Sequence, residues 1–559
     1  MSINIREKLV EAVKKSGFEI PAEFDLLQPE NEKFGDFSTN VAMLISAKEN
    51  KSAKEIAEKI VKNISAKEIE KVEVAGTGFI NFYLSKKHYL SGLSEILSAG
   101  VDFGKSNIGK DKKAIVEFIS ANPTGPLHIG NARGGPIGDV IANVLSWQGF
   151  QVEKEFYVND SGNQINHFGE TLLWWYLKKK EGNLPFPENG YSGDFCKNSS
   201  EEIQKEQKTE IIKLSDGKLT EFFVRFGLEK TIRKIKEDIE LLGINFDRFV
   251  YESDFLSSGK SLEIVESLKK GDHTAQREGA LWFIADELDP NDRESVLLRS
   301  DNDKTPTYFA NDIAYHKDKF DRGADLLVDI WGANHHGHIT RMKSALSALG
   351  FNAEKLKILL YQTVRLKTAG KVSQMGKRLG NFVNISDLIL KMKVPVDVFK
   401  FMIISQNPNS ILDFDLELAK EKSEKNPVYY LQYAYARICS VLRKADINLV
   451  SELEKIAEGK GRVEVSEVEN LAEKSEINLI KALLEFPEVI NKIASDFQIQ
   501  SLPHFATLVA REFHNFYANC EILTSDKKLM RSRLLLILAT RNVLKITLTL
   551  MGISAPEKM

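Results

Sequence analysis

Apolar positions change their spacing several times along this chain, and each change marks a different kind of unit. Near the start, Leu9, Val10 and Val13 form a helical stripe, and Gly35 to Asn40 reads as a turn into a helix at Val41-Ala42-Met43-Leu44. Lys71-Val72-Glu73-Val74 alternates as a strand does, and Phe79 to Leu84 is a strong strand after Gly76 and Gly78. Residues 1–106 are therefore expected to form a small α+β unit, followed by the lysine-rich stretch Asn107 to Lys113. Ala114 to Ile119 then suits a buried strand, Ile137, Val140, Ile141, Val144 and Leu145 lie on one helix face, and Val152 to Val158 reads as a second strand after Gly149. Strand, helix and strand describe a parallel crossover.

The pattern resumes at Ala324 to Trp331, a run suited to a central strand. A helix from about Ile339 to Leu349 and a strand over Lys357 to Leu366 follow. Between these halves, residues 185–305 read as an insertion with a turn-rich start, charged helices and a strand at Ala280 to Ile284. Residues 367–382 form a glycine- and lysine-rich loop, 385–425 a helical connector, and 426–559 an all-helical domain in which Val428, Leu431, Ile438 and Leu442 share a face. The expected fold is α/β. A doubly wound, Rossmann-like parallel-sheet domain spans 107–384, flanked by an α+β N-terminal domain and an all-α C-terminal domain.

Composition narrows the classes. The 559 residues exceed what one core organises. With 76 basic against 79 acidic residues the net charge is −3, so any contact with nucleic acid must use a local basic surface. Cys196, Cys439 and Cys520 are far apart, the pattern of a reduced cytoplasmic protein. The N-terminus lacks the apolar run of a signal peptide, and Leu534 to Leu550 is interrupted by Arg541 and Lys545, which argues against a membrane span. A soluble monomer is the default expectation.

Candidate chemistry gathers at a few places. His128-Ile129-Gly130-Asn131, after Pro123-Thr124-Gly125-Pro126, falls where a strand hands over to a helix N-terminus. Backbone N–H groups without partners and the helix dipole favour an anion there. Gly130 leaves room for an adenine ring beside the backbone. Taken alone, the string also fits a helix-capping turn with a satisfied histidine. Val372 to Asn381 places Lys377 and Arg378 on a glycine-flanked loop, which suits a polyphosphate but equally an ordinary solvated basic loop. His335, His336 and His338 do not share one helix face and have no cysteine nearby, so no metal site is expected. Tyr429, Tyr430, Tyr433 and Tyr435 with Arg437 and Arg443 suit the stacking of unpaired bases, or a helix core.

The pairing of Ala121–Asn131 with Met375-Gly376-Lys377-Arg378 resembles the two signatures of class I aminoacyl-tRNA synthetases. Glu117 to Pro126, Tyr157 to Ile165, Tyr308 to His316, Asn426 to Arg437 and the ending Gly552 to Met559 are similar to arginyl-tRNA synthetases in particular. Phe34 to Asn40 and Gly76 to Phe82 resemble that family's extra N-terminal domain. The likeness is weakest over 185–305.

The resemblance implies ATP-dependent ligation of L-arginine to tRNA(Arg) through an arginyl-adenylate. ATP enters as its Mg2+ complex, with no tightly bound cofactor. By the same resemblance, His128, Asn131 and Lys377 are catalytic, and Gly130, Met375 and Arg378 join them in holding ATP. Glu117, Asn122, Tyr308 and Asp312 hold the arginine. Carboxylates suit a guanidinium, which offers five fixed donors and a permanent charge. The chain departs from the family pattern at Asn131, usually a second histidine, at Gly376, usually a serine, and at Gln374, often a lysine. Two rival readings stay open: a nucleotidyltransferase acting on a small metabolite, and a paralogue that binds RNA without catalysis.

Overall fold

The computed structural model describes residues 5–29, 31–181, 184–206, 216–285, 295–300, 305–368, 370–373 and 383–559. At its centre five strands run parallel, in the spatial order Leu356–Tyr361, Leu326–Gly332, Lys113–Glu117, Gln151–Val158 and Arg248–Tyr251. From Lys113–Glu117 the chain winds outward to one side, then returns and winds to the other. This is the doubly wound order, and its switch point lies between Lys113–Glu117 and Leu326–Gly332.

The helix Gly134–Trp147 forms the first crossover, and its apolar face is fully buried from Ile137 to Leu145. It packs very closely on the sheet: a Cβ on Gly138 would lie 2.2 Å from Phe118 Cγ. Gly149, at φ +90°, turns the chain back into Gln151–Val158.

Part of the expected insertion belongs to the main sheet. The helix Asp216–Leu241 leads into Arg248–Tyr251, which pairs with Gln151–Val158 as the sheet's edge strand. Other described residues stand apart, among them an antiparallel sheet of Thr274–Arg277, Ala280–Phe283 and Val296–Leu298. The run Lys357 to Leu366 is two strands. Leu356–Tyr361 ends in the main sheet, and after Gln362 and Thr363 the chain enters Val364–Thr368 of a second sheet, between Lys371–Ser373 and Leu412–Asp415. The segment 385–425 thus contains that last strand besides the helix Val396–Ile404.

The N-terminal unit has an antiparallel sheet ordered Leu26–Leu27, Phe37–Thr39, Phe79–Leu84 and Ile69–Ala75. Its following helix, Lys86–Ala99, docks on the C-terminal helices, where a Cβ on Gly92 would meet Leu484 at 2.7 Å. The C-terminal part begins with Pro427–Lys444, whose start is capped by the Asn426 side chain accepting from Val428 N at 3.1 Å. It continues through Lys474–Leu484, Phe486–Asp496 and Ser501–Asn519 to Lys527–Leu550. Among the described residues, no helix is long and apolar enough to cross a membrane.

Candidate active site

A cavity of about 1140 Å³ opens at the C-terminal ends of Lys113–Glu117 and Leu326–Gly332. An open parallel sheet leaves a crevice at just this point. Glu117, Asn122, Asn131, Tyr308 and Asp312 line it together. His128 and Gly130 stand beside Asn131 at the helix start. Met375, Lys377 and Arg378 lie outside the described residues.

The chain leaves the strand at Glu117 through two residues in the left-handed region, Ile119 at φ +67° and Ser120 at φ +37°. For a β-branched residue this conformation costs on the order of 1–3 kcal/mol, and such strain gathers at functional sites. It turns the backbone out of the sheet and brings Ala121 and Asn122 to the cavity. Ser120 Oγ donates to Glu117 Oε1 at 2.8 Å and accepts from Tyr157 N at 3.1 Å. Asn122 donates to Gln164 Oε1 at 2.8 Å and accepts from Asn159 at 2.9 Å, so the polar loop after Val158 fixes its orientation. In that loop Gly162 is at φ +82°, and a Cβ there would collide with the Tyr308 hydroxyl at 1.9 Å.

His128 caps the short helix Ile129–Ala132, its Nδ1 accepting from Asn131 N at 3.2 Å. A neutral ring in that arrangement carries its proton on Nε2, the nitrogen able to donate to a phosphate oxygen. A Cβ on Gly130 would crowd the His128 ring at 3.1 Å, so the glycine also protects the imidazole's orientation. The chain returning from the second basic motif is tied to this turn, with Ile129 N donating to Val383 O at 3.0 Å and Ile385 N to Leu127 O at 2.9 Å.

Beneath the cavity lies a closed network of charge. Lys319 Nζ, fully buried, donates to Glu117 Oε2 at 2.6 Å and to Asp329 Oδ1 at 2.8 Å. His316 bridges Asp312 O and Asp329 Oδ2, both at 2.7 Å. Burial works against the Lys319 ammonium, but Asp329 and Glu117 outweigh it and hold its pKa above the ordinary lysine value. Burial likewise opposes ionisation of Asp329, yet Lys319 and His316 keep that carboxyl below its usual range. Burial, with the Asp329 charge adding to it, pushes Glu117 upward against Lys319. Glu117, His316 and Asp329 have a metal-like spacing. The Lys319 ammonium sits between the two carboxylates, so a cation is already supplied by the chain itself.

Glu252, which the sequence did not single out, lies behind the cavity lining, against Asn311. It follows the edge strand Arg248–Tyr251, is almost fully buried, and accepts from Asn311 Nδ2 at 2.7 Å through Oε1. Its Oε2 has no partner among the described residues. Burial, reinforced by the charges of Asp312 and Asp160, raises its pKa to about 7, although Asn311 and Ser161 favour the ionised form. The buried Tyr157 hydroxyl nearby is also unpartnered, and the Asp312, Glu252, Glu117 and Asp160 charges act on it. A buried acceptor with an open oxygen, close to Asp312, is what a fork of guanidinium donors requires.

Of the three clustered histidines, His335 and His338 line the cavity, and His338 Nε2 lies 3.1 Å from Asp312 Oδ2. His336 is exposed. In the C-terminal domain Tyr435 is core, whereas Tyr429 and Tyr433 stack at 6.4 Å. Arg437 lies 4.7 Å over the rings of both Tyr433 and Tyr517, and His514 stacks on Tyr433 at 5.9 Å. Arg443 donates to Glu557 O, which ties it to the chain's final residues.

The model described as tRNA synthetases class I (R), catalytic domain, matches residues 92–438. The fold and the strand-to-helix signature are thus those of a class I aminoacyl-tRNA synthetase. The arginyl tRNA synthetase N terminal domain model matches 3–84, and the DALR anticodon binding domain model matches 431–559. An arginine–tRNA ligase of Carboxydothermus hydrogenoformans is 39% identical over 559 residues, covering 99% of this chain and 98% of that one. One from Caldanaerobacter subterraneus subsp. tengcongensis is 39% identical over 558 residues, covering 99% and 97%. The chain belongs to the arginyl-tRNA synthetase family. Its fold also matches the Thermus thermophilus arginyl-tRNA synthetase structure with a TM-score of 0.75 at 22% identity, over 99% of each chain.

Proposed function

We infer that the chain joins L-arginine to tRNA(Arg) for translation. In the first step the arginine carboxylate attacks the α-phosphorus of ATP, giving arginyl-adenylate and releasing pyrophosphate. In the second, a terminal hydroxyl of the tRNA takes the arginyl group and AMP leaves. ATP is taken with Mg2+ as a substrate complex.

The observation that carries this reading is the meeting of the signature residue Asn131 with Tyr308 and Asp312 in one cavity at the sheet's switch point. In the proposed roles, His128 and Asn131 donate to ATP phosphate oxygens, Gly130 keeps the His128 ring in place, and Met375, Lys377 and Arg378 complete the ATP site. The helix N-terminus adds its dipole to the same end. At the other end Glu117 and Asn122 receive the amino-acid head group, and Tyr308 and Asp312 its guanidinium, with Glu252 as a second carboxylate. Lysine or citrulline would leave these acceptors badly paired, which is how a polar pocket rejects near relatives of its substrate. The domains have corresponding roles: residues 1–106 contact tRNA, 107–384 catalyse, 385–425 connect and 426–559 read the anticodon. The protein works as a cytoplasmic monomer.

Charging of a tRNA(Arg) transcript with labelled arginine tests the whole. Acid-precipitable, alkali-labile arginyl-tRNA, formed with arginine and not with lysine, is the expected product. An absence of charging with arginine contradicts the reading.

A further inference from the structure

Arg133 heads the large side chains that are completely buried, and no carboxylate among the described residues pairs with it. Its Nη1 donates to Gln362 O at 2.7 Å and Ser410 O at 2.8 Å, and its Nη2 to Asn407 O at 3.3 Å. Its Nε has no acceptor among the described residues. Burial draws its pKa down to about 10. An unpaired buried cation is a poor way to stabilise a core, because an apolar side chain of similar volume avoids the desolvation cost. The acceptors indicate what the guanidinium does instead.

All three carbonyls belong to the base of one strand pair. Gln362 stands between Leu356–Tyr361 and Val364–Thr368, and Asn407 and Ser410 lie in the turn before Leu412–Asp415, the parallel neighbour of Val364–Thr368. The two segments are also laced directly, Gln362 N to Pro408 O at 2.9 Å and Leu412 N to Thr363 O at 3.1 Å. Arg133 itself sits where Ile129–Ala132 passes into Gly134–Trp147, two residues after Asn131. One planar fork therefore spans the first signature turn and the strand from which the chain runs on toward Lys377. Lysine, with a single nitrogen, cannot hold three carbonyls in this geometry.

We propose that Arg133 is a positioning residue for adenylate formation, setting the first signature turn, and with it His128 and Asn131, against the Val364–Thr368 strand pair. This rests on the reading of His128 and Asn131 as phosphate contacts.

The test compares the full-length protein with Arg133→Lys and Arg133→Met in arginine-dependent ATP–pyrophosphate exchange with tRNA present, well below each variant's unfolding temperature. A misplacement of about 1 Å costs up to about 100-fold in rate. The expected result for Arg133→Lys is a kcat lower by about 10- to 100-fold with the KM for arginine within about twofold. Arg133→Met, if folded, is expected to fall at least as far. If it does not fold, Arg133→Lys decides alone. A kcat within twofold of the unsubstituted protein in Arg133→Lys, or a loss seen only in the KM for arginine, overturns the proposal. If the unsubstituted protein shows no exchange, the functional reading fails, and the proposal with it.

Discussion

The Lys319 ammonium lies 2.6 Å from the Glu117 carboxylate with neither group meaningfully exposed to solvent. The same nitrogen holds Asp329 at 2.8 Å. Two carboxylates beside the cavity are thereby held together by a cation that the chain itself supplies. Lys319→Met leaves both without their shared cation, and uncompensated buried charge of this kind costs about 3–5 kcal/mol. Urea unfolding is expected to show a loss of that order, and an unchanged midpoint would contradict the assigned network.

In its proposed role Glu252 gives the arginine site a pH dependence. Its carboxyl titrates near 7 in the folded protein against 4.5 ordinarily, so between those values the folded state holds the extra proton. The group's contribution to stability is full below pH 4.5 and is lost as pH rises through about 7. Arginine binding has the opposite slope, because the guanidinium needs the ionised carboxylate. The KM for arginine is expected to fall between pH 6 and 8 and then level off, and Glu252→Gln should raise it and flatten the profile. A flat profile in the unsubstituted protein would remove Glu252 from the pocket.

How far the site could be read from the sequence follows from local pattern. The run Ala114-Ile115-Val116 and the helical spacing from Ile137 to Leu145 make the first crossover plain, because burial on both faces leaves few polar residues to confuse the period. Arg248–Tyr251 is short and begins with an exposed arginine, so it merges with the charged helices before it. Glu252 went unread with it, although it comes directly after a strand's last residue, one step beyond the position Glu117 holds on its own strand, and that near-equivalence was the one signal available. Lys319 carries no sequence signal. A lysine on an amphipathic helix reads as solvated, and only the tertiary fold buries it between Glu117 and Asp329. The break at Gln362 and Thr363 was hidden because no glycine or proline marks it, and the apolar Leu356–Tyr361 runs straight into the alternating Val364–Thr368.

Gly138 is a packing requirement that can be tested by stability alone. A methyl group there would lie 2.2 Å from Phe118 Cγ, inside a fully buried contact between helix and strand. Gly138→Ala is expected to destabilise the protein by about 1–3 kcal/mol, as overpacking does. The gain of a few tenths that alanine gives an exposed helix would contradict this packing.

Lys377 is expected to act on the transition state more than on binding. Lys377→Ala should lower the kcat of arginine activation by about 10²- to 10³-fold, the effect of losing one preorganised donor to developing charge. The KM for arginine should change little if the lysine addresses the phosphates, its proposed role. Pre-steady-state measurement of adenylate formation separates the two quantities, and a loss confined to KM would assign Lys377 to substrate binding.

The central claim is that the acidic cavity at the sheet's switch point activates arginine. Arginine-dependent ATP–pyrophosphate exchange, run with and without tRNA(Arg) on the unsubstituted protein and on Asp312→Asn, tests it most directly. The account predicts exchange with arginine and with no other amino acid when tRNA is present. It also predicts a loss in Asp312→Asn of about 1.5–3 kcal/mol in kcat/KM, as for losing a hydrogen bond to a charged group. Exchange driven by a different amino acid, or an Asp312→Asn protein as active as the original, would contradict it.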